Sequence, residues 1–229
     1  MTAILKVDTI QDTAGNNIIN ESSDTITIGA SGDTISIPTG ATITNSGTAT
    51  GFGSITKLQT QTASSSSTIT FTSTYLTTTY KKYYLDYTNI VVSSDGGNIS
   101  ATVSADNGSN YTTSGYYYWR IISNSGTSNN TIASGGATNN SSLMMLGTGT
   151  GMGTAADESG SGRMTIFDPN SADSKLFISE GLHIGDNGAL VQQNIYQGLK
   201  TSTTINNIKI SPNTGTIVSG IFTLYGVTT

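Results

Sequence analysis

The residues of this 229-residue chain best suited to touching another molecule lie in the run Tyr116-Tyr117-Tyr118-Trp119-Arg120-Ile121. Alternation along a strand puts Tyr117, Trp119 and Ile121 on one face and Tyr116, Tyr118 and Arg120 on the other. The face holding the only tryptophan and an isoleucine is expected to meet the core. The opposite face then presents two phenol rings beside a guanidinium, a set able to stack on a sugar or to pack a subunit contact. A second candidate is residues 147–162, GTGTGMGTAADESGSG, a long polar stretch preceded by Met144-Met145 and containing Met152. Loops of that length are usually functional or disordered, and methionine suits an adaptable contact. Residues 123–142 share this texture. Tyr116, Tyr118, Arg120 and Met152 are therefore the expected binding residues.

Catalytic chemistry finds little to stand on. His183 is the only histidine and the chain has no cysteine, so no nucleophile–base set is written in the sequence. His183, in His-Ile-Gly-Asp, is expected at a turn or surface. A glycosidase needs only two carboxylates. Asp95, Asp106, Asp157, Glu158, Asp168 and Glu180 supply enough by count, but most fall where aspartate serves turns. Asp95-Gly-Gly-Asn98 and Asp106-Asn-Gly are turn chemistry rather than a calcium loop, and no phosphate-binding glycine loop follows a strand. The expectation is a protein that is not an enzyme, with no cofactor and no metal.

The elements that must position these residues are strands. Hydrophobic content of 34% and charged content of 10% are both low for a globular chain. Disordered chains share that polarity, but they lack the β-branched residues and the 11 tyrosines found here. Alternating runs are expected as strands over 68–72, 82–92, 98–104, 116–123, 163–168, 175–179, 189–196, 203–210 and 217–227. Turn formers separate them, notably Ser94-Asp95-Gly96-Gly97 and Ser211-Pro212-Asn213-Thr214-Gly215. That many short strands predict a sandwich of jelly-roll type over residues 57–229. In the last strand Phe222 and Leu224 share one face and Ile221, Thr223 and Tyr225 the other, which predicts cover on both sides, the second cover coming from a neighbouring subunit.

Residues 24–47 repeat a short unit, DTITIGASG, DTISIPTG and ATITNSG. Ile26, Ile35 and Ile43 occupy equivalent places, as do Ile28 and Ile37. One such unit cannot bury its own apolar edge, so it gains stability by stacking; three chains side by side would pair the isoleucine rows. The expected organisation is a docking segment over 1–23, a β-repeat stalk and Gly/Ser/Thr linker over 24–56, and the sandwich, the whole all-β and homotrimeric. A small meander folded onto the later domain is the competing arrangement.

Net charge is −5 with scattered cations, which is not a nucleic-acid footprint. No stretch is apolar enough to span a bilayer as a helix. The opening MTAILKVDTI has no apolar run of signal-peptide length, so synthesis in a cytoplasm without the usual secretory route is expected, although the composition looks like that of an extracellular surface protein.

The run ILKVDTIQDTAGNNIINESSDTITIGASGDTISIPTGATIT resembles the N-terminal segment of tail-fibre and tail proteins of marine tailed bacteriophages, cyanophages among them. More loosely, YKKYYLDYTNIVVSSDGGNISATVSADNGSNYTTSGYYYW and the closing SGIFTLYGV resemble the C-terminal sandwich of phage tail fibres and tailspikes. The resemblance implies a virion structural protein, joined to the particle by residues 1–23 and presenting its sandwich to a host surface receptor, a polysaccharide. A head fibre or decoration protein on the capsid is the first alternative, a polysaccharide depolymerase tailspike the second, and a cellular carbohydrate-binding module the third.

Overall fold

Threonine, isoleucine and valine at alternating positions favour extended backbone, because a branched Cβ fits a pleated surface better than a helical turn. In the computed structural model the described residues are 9–11, 13–15, 17–22, 25–28, 31–41, 55–125 and 131–228, and all their regular structure is β. The chain divides into two units, residues 1–50 and 51–229.

In the first unit, β1 (Thr9–Gln11), β2 (Asn17–Ser22) and β3 (Thr25–Ile28) form an antiparallel sheet in that order. Gly15 (φ 86°) helps reverse the chain between β1 and β2. Ile10, Ile19 and Ile28 fall in register across the three strands. The second copy of the repeat departs from expectation, for residues 33–38 form no strand. Pro38 lacks an N–H, and a turn closes behind it through Ala41 N–H to Pro38 O at 3.0 Å. No described strand lies alongside to take up the remaining backbone groups. Ile26, Ile28, Ile35 and Ile37 are all exposed, at 46–68%. Ile43, and Leu5 and Val7 of the docking segment, lie outside the described residues.

The second unit is two facing antiparallel sheets. Its strands are β4 (Ile55–Ser66), β5 (Ile69–Phe71), β6 (Lys82–Val92), β7 (Ile99–Ser104), β8 (Tyr116–Asn124), β9 (Thr131–Asn140), β10 (Leu143–Leu146), β11 (Gly160–Phe167), β12 (Lys175–Ile184), β13 (Leu190–Leu199), β14 (Asn207–Pro212) and β15 (Ile217–Val227). Eight form one sheet, β4-β15-β6-β11-β12-β13-β8-β9, and four the other, β10-β7-β14-β5. The core between them holds Phe71, Tyr83, Leu85, Tyr87, Phe177 and Phe222, each at most 1% exposed. β6 shows how alternation builds it. Tyr83, Leu85 and Tyr87 point inward; then Asn89, at φ 51°, spends an extra residue and returns Ile90 and Val92 to the same side.

Three strands escape the sequence reading, β4, β9 and the short β10, whose Leu-Met-Met-Leu run shows no alternation. β4 begins at Ile55, inside the expected linker, and β9 occupies most of an expected loop. Both are edge strands paired on one side only, rich in Thr, Ser, Gln or Gly, so neither needs an apolar alternation. In β15, Phe222 and Leu224 enter the core as expected, while Ile221 on the other face stays 47% exposed among the described residues of this unit.

Candidate functional site

An eight-stranded sheet facing a four-stranded one must overhang it. β10, at one edge of the small sheet, packs over β11, β12 and β13, which leaves β8 and β9 projecting beyond. The inner face of β8 is therefore covered at its ends and open in the middle. Tyr116 and Ile122 are buried, whereas Tyr118 and Arg120 between them are half-buried.

This reverses the expected orientation of the aromatic strand. Trp119 is 53% exposed, Tyr117 43% and Ile121 37%, all on the outer face, while Tyr116 is 1% exposed and belongs to the core. Tyr116 is fixed by its hydroxyl, which accepts from Val103 N–H at 3.1 Å and donates to Thr112 O at 3.1 Å. Burial pushes that phenol above its ordinary pKa. One anchored residue sets the parity of every other in the strand. Trp119 finds its place outside, its ring lying against Gly136 of β9, where an added Cβ would approach the ring to 3.0 Å.

Tyr118 and Arg120 do share a face, with the guanidinium 5.8 Å from the Tyr118 ring centroid. Arg120 lines a recess of about 220 Å³ at the overhang, together with Asn98, Ser100, Asn140, Ser142 and Asn213. Ile99 and Leu146 contribute its apolar wall. Two contacts hold its rim: Asn98 N–H donates to Asn213 Oδ1 at 2.7 Å, and Asn140 Nδ2 donates to Ser142 O at 2.8 Å. The chain's other arginine makes a useful contrast. Arg163 grips Asp86 with both arms of its fork, Nε at 2.6 Å and an Nη at 2.9 Å, and stacks 4.5 Å from Tyr84. Among the described residues no carboxylate pairs with Arg120. Its fork opens onto amides and hydroxyls, a setting that fits a carboxylate or sulfate on a sugar otherwise rich in hydroxyls.

The recess is held by two side chains the sequence reading passed over. Gln197 of β13, 5% exposed, accepts from Met144 N–H at 2.6 Å and donates to Met144 O at 2.9 Å and Ser179 Oγ at 3.1 Å. Gln193, fully buried, accepts from Thr148 N–H at 3.2 Å and donates to Met145 O. Each amide mimics a backbone partner and ties β10 and the turn after it to the large sheet. Their spacing in Val191-Gln192-Gln193-Asn194-Ile195-Tyr196-Gln197, on the parity of Val191 and Ile195, was the available signal.

Met152 is not a contact residue. It is 1% exposed, bridged to Gly97 on one side and Gly185 on the other. Gly151 makes this close approach possible, since a Cβ there would lie 2.2 Å from Gly96 O. His183, expected at a turn or surface, is instead buried on the inner face of β12 and hydrogen-bonds Thr150 O at 2.8 Å through Nε2. Its Nδ1 has no partner among the described residues, and burial lowers its pKa. The residue is occupied in pinning the 147–159 segment to the sheet. Asp106 serves a turn: bonds from the Ser104 hydroxyl (2.7 Å) and from the backbone and side chain of Asn110 (2.8 and 2.7 Å) hold its carboxyl down to about 2. Asp168 meets Lys81 at 3.3 Å. Among the described residues no three acidic or histidine side chains come together as metal ligands.

Searches against protein-family profiles, curated proteins and solved structures return no match to this chain.

Proposed function

We propose that the chain is a phage virion structural protein, a homotrimeric tail-fibre or spike subunit that joins the particle by its N-terminal segment. Its sandwich binds a saccharide of the host surface. The observation that carries the recognition half is the open Arg120 fork at the overhang recess, ringed by Asn98, Asn140, Asn213 and two serine hydroxyls. A guanidinium flanked by amides and beside a tyrosine ring is suited to an acidic sugar: the fork takes the oxyanion, the amides take ring hydroxyls, and the phenol takes a C–H face. The virion half is supported by the resemblance of residues 3–44 to phage tail segments. Several copies per fibre and several fibres per particle would multiply a weak contact into firm adhesion.

Immunogold labelling of particles, with an antibody raised against the folded chain, tests the virion half. Gold at fibre tips is the expected result. Gold over the capsid would favour a head fibre or decoration protein, and particles without gold would reject the reading. Release of new reducing ends from a host polysaccharide would replace binding by depolymerisation.

A further inference from the structure

The outer face of the large sheet exposes a broad apolar band. Following the strand register, one row runs Trp119–Tyr196–Ile178–Thr165–Tyr84–Tyr225 across six strands. The next row places Tyr117 of β8, Leu176 of β12 and Phe167 of β11 alongside it. Leu176 is 56% exposed, Tyr196 46% and Phe167 38%. With Tyr117, Trp119 and Ile121 these make six large side chains left about half in water. At roughly 200 Å² for a large side chain, they display on the order of 600 Å². The partly exposed Ile178, Tyr84 and Tyr225 extend the band further.

We infer that this outer face, centred on Trp119, Tyr196 and Leu176, is the surface by which copies of this chain assemble. Area is the first reason. The band reaches the largest patches that monomers keep, roughly 300–600 Å², and with its partly exposed members approaches the ~800 Å² each partner contributes to a stable interface. Charge is the second. The chain as a whole carries −5 and would repel its copies, yet on this face Lys57, Lys82 and Arg163 stand against Asp86 and Glu180, near neutrality. The Arg163–Asp86 pair is already closed within the chain. Form is the third, because three copies can each turn one broad sheet face inward around a common three-fold axis and interdigitate its side chains. Ile10, Ile26, Ile28, Ile35 and Ile37 of the first unit are likewise exposed, and a further copy of the chain is one partner that matches both surfaces. This deepens the trimeric part of the proposed function but does not depend on the Arg120 recess, which lies on the inner face.

The single tryptophan makes the test direct. Light scattering of the full chain at micromolar concentration should give an assembly, about 71 kDa for three copies of the 23.7 kDa chain. Its Trp119 emission should be blue-shifted. Leu176→Glu and, separately, Tyr196→Ser should weaken association at least tenfold and shift Trp119 emission to the red. Far-ultraviolet circular dichroism should not change, since both residues are exposed in the single chain. A wild-type chain that stays monomeric at 100 µM would overturn the inference. So would variants that keep both the assembly and the blue emission. The second result would move assembly to the first unit and leave the fibre reading standing.

Discussion

At the scale of single residues, the sandwich depends on polar groups placed where water cannot reach. Gln197 satisfies both backbone groups of Met144. Gln197→Ala should therefore orphan a buried N–H and C=O and cost about 1–3 kcal/mol, read as a lower urea midpoint. His183 gives the fold an acid limit. Its folded pKa lies below the ordinary 6.5 because burial disfavours the cation, so the unfolded chain binds the proton first. Stability is complete above about pH 6.5 and declines as pH falls from there toward the folded value. A glutamine at this position can still donate to Thr150 O and does not titrate. The thermal midpoint of His183→Gln should fall less between pH 7 and pH 5 than that of the wild type. Equal losses would remove His183 as the cause.

At the scale of elements, glycines decide which strands lie close. Gly162 of β11 sits over the Tyr87 ring, which sends its hydroxyl toward Glu180 O and Met145 O. A Cβ there would lie 2.3 Å from Glu180 O and 2.6 Å from the ring. Gly162→Ala should cost about 1–3 kcal/mol of folding stability through forced repacking. Gly135, in the edge strand β9, has open space around its Cβ position, and Gly135→Ala should change stability by less than ~0.5 kcal/mol. Denaturant curves of the pair check both. Strands with a clear apolar alternation were legible in advance, whereas core-facing β10, with none, was not. β6 and β15 emerge over the expected spans because Tyr83, Leu85, Phe222 and Leu224 mark their parity. Edge strands β4 and β9 were not, since pairing on one side asks only for extended backbone. The parity of β8 was misread for a related reason. Tryptophan on an inner face is a rule for a chain that buries everything alone, and the described residues of this unit leave Trp119 and its neighbours on this sheet face exposed. Arg120 and Tyr118 were found from their residue types. Their partners in the recess come from β7, β9, the residues beside β10 and the turn after β14, and no sequence spacing links those segments.

At the scale of the whole molecule, the two faces of one sheet divide the work. The inner face packs the core and, where the small sheet stops, opens the Arg120 recess. The outer face carries the exposed aromatic row on which, in the inferred assembly, copies would meet. A fibre needs both, a surface that joins its subunits and a separate one that stays accessible when they are joined. The most direct measurement is binding of the intact chain to immobilised surface polysaccharides, acidic and neutral, with Arg120→Ala as the variant. The fork should make wild-type binding favour acidic chains, and Arg120→Ala should lose at least tenfold of it with an unchanged melting temperature. Binding that ignores the acidic group, or that survives Arg120→Ala intact, would contradict the account.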